Sequence, residues 1–307
     1  MKKTDSIHPI NGILLLNKPK GFSSNAVLQK AKRLFQAKKA GHTGSLDPLA
    51  TGMLPICFGE ATKFCQYLLD ADKVYEATGV LGIKTNTGDA MGEMVEEKKD
   101  FIITEAELLA AIANHRGQIK QTPSMFSALK HKGVPLYKFA REGIVLPREG
   151  RSISIHELSL QRFNGQQFDI RVNCSKGTYI RNLVEDIGDF LGVGAHISRL
   201  HRLHTSGFAN EKMFDFEELE KKTFSELLDC LLPMDRAVNH LPSITLGESE
   251  VQSLRQGKAL MGLGLNHLLG CVRLYDEAAH FIGLGECLPD RLIVKRLLTD
   301  LATKTIL

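Results

Sequence analysis

The sequence has no uninterrupted run of about 18 apolar residues, the length a helix needs to cross a bilayer, so no membrane-spanning helix is expected. The apolar stretch near its start, Ile13 to Leu16, ends at Asn17 and Lys18 and is too short for a secretory signal. The expectation is a cytoplasmic protein. Cysteine is sparse and scattered, at positions 57, 65, 174, 230, 271 and 287, with no C-x-x-C pair. That spacing argues against a zinc ribbon and against a disulfide framework, and the six thiols read as small buried hydrophobes. A phosphate-cradling loop is missing too. The glycine-bounded stretch GHTGSLDPLATG, residues 41–52, lacks the Lys and Ser or Thr that follow the glycines of a nucleotide loop. No repeat or low-complexity tract occurs.

A chain of 307 residues with 43% apolar content can bury one large core, or one large core and a small satellite. The net charge of +4 is modest but unevenly spread. Residues 1–63 hold ten Lys and Arg against three acids, and residues 115–205 hold fourteen against seven, with six histidines. The acids gather instead in 89–107 and 211–229. Such asymmetry suits a polyanion bound on one face, although for any single charged run an ordinary solvated helix is the blander explanation.

INGILLL reads as a first strand. Ser23 or Ser24 can cap a helix through Phe35, whose apolar positions Val27, Ala31, Leu34 and Phe35 recur at helical spacing. A short helix is expected from Glu60 to Leu69, and VYEATGVLG reads as a strand. Residues 104–115 form a helix opened by a Thr104/Glu107 capping box. RSISIHELSLQRF and QQFDIRVNC read as antiparallel strands joined at Asn164-Gly165. SKGTYIRNLVEDIGDFLG turns into a helix, and AHISRLHRLHTSGF returns as a strand. The irregular interleaving of hairpins and crossovers predicts an α+β fold with a mixed, mostly antiparallel sheet flanked by helices. Pro233 and Pro242 bracket an expected linker, followed by a small β-rich module. The domains are therefore expected at 1–240 and 243–307.

Asp47 precedes Pro48, which pushes it out of helical geometry and makes it a corner residue. It can be an N-cap with Pro48 opening a helical turn that ends at Gly52. Alternatively the loop presents the carboxylate to a substrate, with Gly41 and Gly44 letting a bulky ligand approach. Residue chemistry leaves both readings open.

GHTGSLDPLATGMLPICFGEATKF resembles, nearly residue for residue, the central motif of the TruB family of tRNA pseudouridine synthases. The resemblance extends through NKPKGFSSN, DKVYEATGVLGIKTNTGD, QTPSMFSALKHKG, CSKGTYIRNLVEDIG and GAHISRLHRLHTSGF, spanning roughly residues 10–208 in the family's order. The tail is similar to the PUA RNA-binding module. The resemblance implies the pseudouridine synthase fold and an isomerase that converts uridine 55 of the tRNA TΨC stem-loop to pseudouridine. It implies Asp47 as the catalytic aspartate, Arg181 as its partner, and Tyr75 as the tyrosine stacking on the uracil. Tyr179 and Leu200 would line the pocket, and His42 would insert into the RNA loop. Lys18, Lys20, Lys63, Lys130 and Lys132 are candidate phosphate contacts, and residues 121–145 match a mobile RNA-clamping segment. Neither cofactor nor metal is implied, and a monomer without an obligate protein partner is expected. Ser45 and Glu76 depart from the family's usual residues. The rival functions are a tRNA-folding helper that does not need catalysis and a guide-RNA-dependent pseudouridine synthase.

Overall fold

The computed structural model describes residues 10–299. The expected domain bounds at residues 1–9 and 300–307 lie outside those described. Twelve strands belong to the larger part of the chain: β1 (Gly12–Lys18), β2 (Ala40–His42), β3 (Thr51–Phe58), β4 (Lys73–Leu81), β5 (Ile83–Thr85), β6 (Met94–Glu97), β7 (Gly117–Gln121), β8 (Lys130–His131), β9 (Val134–Pro135), β10 (Arg151–Phe163), β11 (Gln167–Cys174) and β12 (Ala195–Thr205). The helices among them are α1 (Ser24–Leu34), α2 (Cys65–Asp70), α3 (Glu105–Asn114), α4 (Leu136–Arg141) and α5 (Ile180–Phe190).

Eight strands form one sheet in the order β1-β3-β12-β4-β11-β10-β7, with β2 paired to β3. Every pairing is antiparallel except β3–β12, which is parallel over His201–Thr51 and Arg202–Gly52 only. That short join unites the two halves of the sheet, and the candidate site is built beside it. The α+β expectation holds.

Local chemistry explains most elements. Ser23 caps α1 through Ala26 N–H, and the Thr104/Glu107 capping box opens α3 as expected. Asn164 and Gly165 turn β10 into β11, with Gly165 at φ +93°. Ile180, Leu183, Val184 and Ile187 recur along one face of α5 and pack on Phe168, Ile170 and Val172 of β11. On β1 and β3, Leu14, Leu16, Leu54 and Ile56 meet α1, whereas Ile13, Leu15 and Cys57 face Phe64 and Leu68.

Residues 243–297 form a second, five-stranded sheet, β13 (Ser243–Leu246), β14 (Leu260–Met261), β15 (Gly270–Asp276), β16 (Phe281–Cys287) and β17 (Arg291–Leu297), in the order β13-β15-β16-β17-β14. The helix Glu248–Arg255 contributes Val251 and Leu254 to its core. The stretch between Pro233 and Pro242 is not a loose linker. Met234–Val238 forms a 3-10 turn that buries Met234, Ala237 and Val238 against Phe64 and Phe281, and Asp235 accepts a 2.7 Å hydrogen bond from Tyr275. The apolar residues between the prolines make this a packed joint. No described helix is long and apolar enough to cross a membrane.

Candidate active site

The loop from His42 to Gly52 contains no helix. Asp47 closes a single turn by accepting Ala50 N–H on its backbone carbonyl, 3.0 Å. The N-cap reading fails because its carboxylate instead faces α5, where Oδ2 lies 2.8 Å from Arg181 Nε. That N–H is not aimed along the contact, so the pair is an ion pair rather than an aligned hydrogen bond. The Arg181 side chain is 4% exposed and that of Asp47 35%.

Arg181 reaches this place because Ile180 and Val184 anchor the first turns of α5 in the core. Its Nη1 donates to Thr87 O at 2.5 Å and its Nη2 to Phe126 O at 3.0 Å, fixing the guanidinium from two further segments. Asp89, buried and tied to Thr87 Oγ1 and Met91 N–H, stands 4.0 Å from Nη1. One guanidinium therefore lies between two carboxylates. Burial raises the pKa of Asp47. Arg181 opposes that shift, Asp89 adds to it, and Lys18 opposes it. Because the net direction is upward, desolvation outweighs the ion pair.

The loop is held at several points. Ser24 Oγ donates to Leu46 O (3.0 Å) and accepts from Leu46 N–H (2.8 Å), immediately before Asp47. Gly21 N–H donates to Pro48 O, immediately after it. Arg202 Nη2 donates to Gly44 O at 3.2 Å. Gly52 has φ +99°, and a Cβ there would fall 2.7 Å from Arg202 N, so only glycine lets β3 and β12 approach this closely.

Tyr75 on β4 is buried and packs in one cluster with Leu46, Leu49 and Leu200. Burial pushes its phenol pKa up, so the hydroxyl stays protonated. Tyr179 precedes α5 and is gripped by Gln121, whose buried amide accepts Tyr179 N–H at 2.7 Å and donates to Tyr179 O at 3.0 Å. Arg151 covers the Tyr179 ring at 5.1 Å. His42 is half-buried. Burial, then Arg202, lower its pKa, so its imidazole is neutral near pH 7, and its Nδ1 has no hydrogen-bond partner among the described residues.

Two of the five lysines do not point outward. Lys18 is fully buried, and its Nζ donates to Pro19 O (2.9 Å) and Phe22 O (2.7 Å). Burial lowers its pKa to about 8, against the pull of Asp47. It braces the loop rather than meeting a phosphate. Lys63 bonds Glu60, Leu297 O and Thr299 Oγ1, which ties the larger part of the chain to β17. Lys20, Lys130 and Lys132 are exposed. The structure thus brings Asp47, Arg181, Tyr75 and Leu200 together around one loop. It adds Asp89, Gln121 and Arg202, which residue chemistry did not single out, and it turns Ser24, a candidate helix cap, to the loop instead. All four lie inside the quoted motif blocks, but no local pattern marks them for the site. No group of three or more His, Cys, Asp or Glu able to hold a metal occurs among the described residues.

Comparison with known proteins matches this chain to three family models. TruB family pseudouridylate synthase (N terminal domain) matches residues 32–180, and tRNA pseudouridylate synthase B C-terminal domain matches 181–239. Pseudouridine synthase II TruB, C-terminal, matches 242–298. The curated tRNA pseudouridine synthase B of Legionella pneumophila is 56% identical over 94% of this chain and 95% of its own length. The proteins of that name from Mannheimia succiniciproducens and Coxiella burnetii are 49% and 48% identical over 92% and 94% of this chain, each with 94% of its own length covered. Among solved structures, the Cbf5-Nop10-Gar1 complex contains a chain that matches with a TM-score of 0.72 and 25% identity, over 93% of this chain and 84% of that one. Matched over nearly its whole length, the chain belongs to the TruB family of pseudouridine synthases.

Proposed function

We propose that this chain is a tRNA pseudouridine synthase that isomerises uridine 55 in the TΨC stem-loop, with Asp47 as its essential carboxylate. The observation that carries this reading is the orientation of Asp47. Its carboxylate is turned away from backbone amides, paired with a buried arginine, and still one-third open to solvent. In the reaction the N1–C1′ bond breaks, the uracil turns, C1′ bonds C5, and the C5 hydrogen leaves as a proton while N1 gains one. A carboxylate can serve as nucleophile at the sugar or the ring, or as a base toward a sugar proton. Tyr75 and Leu200 supply an apolar and aromatic wall for the extracted base, and Tyr179, at the start of α5, is proposed to line the same pocket. Neutral His42 offers a flat ring to an opened base stack.

Exposed Lys20, Lys130 and Lys132 are proposed to meet phosphates, residues 121–145 to close over the RNA, and the module from 243 onward to add RNA contacts. The stand-alone form is preferred over a guide-dependent one because the relatives at 48–56% identity carry the name tRNA pseudouridine synthase B. The folding-helper reading predicts no need for the carboxylate. Asp47→Asn keeps shape and is expected to lower isomerisation by about 10²- to 10⁴-fold while tRNA still binds. Tritium release from 5-labelled uridine in a tRNA transcript measures it, and appreciable turnover by the variant overturns the assignment.

A further inference from the structure

Arg202 is among the largest fully buried side chains in the molecule, at 1% exposure. It forms no ion pair within 4.0 Å among the described residues. A guanidinium without a counter-ion is costly to bury, and an apolar side chain would fill the space more cheaply. What it touches gives the reason for its presence. Nε donates to Met53 O at 2.5 Å and Nη2 to Gly44 O at 3.2 Å, so one planar fork grips the Asp47 loop on both sides of the carboxylate. On the neighbouring strand, Arg202 stands opposite Tyr75 in the β12–β4 register, and its charge beside the buried phenol opposes the rise that burial gives the phenol's pKa. Its charge also helps keep His42 neutral.

We propose that Arg202 is a positioning residue for the isomerisation, fixing the Tyr75 hydroxyl and the Asp47 loop in one shared geometry. This rests on the reading of Asp47 and Tyr75 given above. Arg202 does not touch the uridine. Its charge sets the electrostatic surroundings of the phenol that faces it across the strands, and its bonds to Met53 O and Gly44 O prevent the loop from drifting relative to β4.

The test uses the full-length protein, a tRNA transcript and single-turnover tritium release, with rates expressed per folded molecule. Arg202→Lys keeps the charge and loses the fork. It is expected to lower the rate about 10- to 100-fold, the scale of a misplaced reacting group, without changing the Kd for tRNA. Arg202→Gln, neutral and still a donor, is the second variant. In a Tyr75→Phe background the same substitutions are expected to cost at least about threefold less, because part of their effect acts through the phenol. Equal penalties in both backgrounds, an unchanged rate per folded molecule, or a loss that follows tRNA affinity overturns the proposal. Asp47→Asn run in parallel separates the two readings. If it remains active, the catalytic assignment fails. If it is inactive while the Arg202 penalties are additive, only the positioning role fails.

Discussion

Gly52→Ala tests whether the short parallel join between β3 and β12 holds the site together. Gly52 has φ +99°, where an L-residue pays about 1–2 kcal/mol. The new Cβ would also lie 2.7 Å from Arg202 N and 2.9 Å from Arg202 C, and closer still to Arg202 O. These are backbone atoms, so no rotamer change relieves the overlap and the strands must part. Parting them strains the Thr51 Oγ1–His201 Nδ1 contact of 2.7 Å and the Arg202–Met53 bond, each worth about 1 kcal/mol net. The sum is a destabilisation of about 3–4 kcal/mol, a large share of the roughly 5–15 kcal/mol that stabilises a typical domain. Urea unfolding followed by circular dichroism reads the stability, and tritium release reads the rate at a temperature where the variant remains folded. We expect a lowered midpoint and a rate reduced beyond the unfolded fraction. A loss below about 1 kcal/mol with wild-type turnover would refute the claim that this close approach builds the site.

The Arg181–Asp47 pair predicts a pH effect of defined sign. Arg181 pulls the Asp47 pKa down, so Arg181→Met is expected to move the acid limb of the rate profile to higher pH and to lower the maximal rate, with Arg181→Lys shifting it less. An acid limb that stays in place in Arg181→Met contradicts the pairing. Exposed Lys130 and Lys132 should each reduce the slope of log affinity against log salt by about 1 when changed to Gln, if each neutralises one phosphate. Lys18→Gln should instead lower thermal stability, since its ammonium is buried against carbonyl oxygens. A reduced salt slope with unchanged stability for Lys18→Gln would reverse that distinction.

Much of the chain follows local rules. Apolar spacing set α1 and α5, Thr104 with Glu107 opened α3, and Asn164-Gly165 turned the β10–β11 hairpin. Each depends on residues a few positions apart, whose backbone preferences act before any long-range contact forms. The motif resemblance pointed to Asp47, Tyr75 and Arg181, where residue chemistry had left Asp47 open between a cap and a presented carboxylate. The Pro233–Pro242 stretch was misread because paired prolines suggest a boundary, whereas the burial of Met234 and Val238 depends on partners as distant as Phe64.

The sequence by itself determined the longer elements, the mixed α+β class and the motif that carries the carboxylate. Only the tertiary structure decided which way charged side chains turn. Lys18 points inward at carbonyls, Arg181 bridges Asp47 and Asp89, and Arg202 is buried beneath the loop from about 150 positions along the chain. A lysine or arginine has the same local pattern whether it meets water or the core. Its direction is set by which carbonyls and carboxylates the completed sheet leaves without partners, and those appear once β3 and β12 have come together.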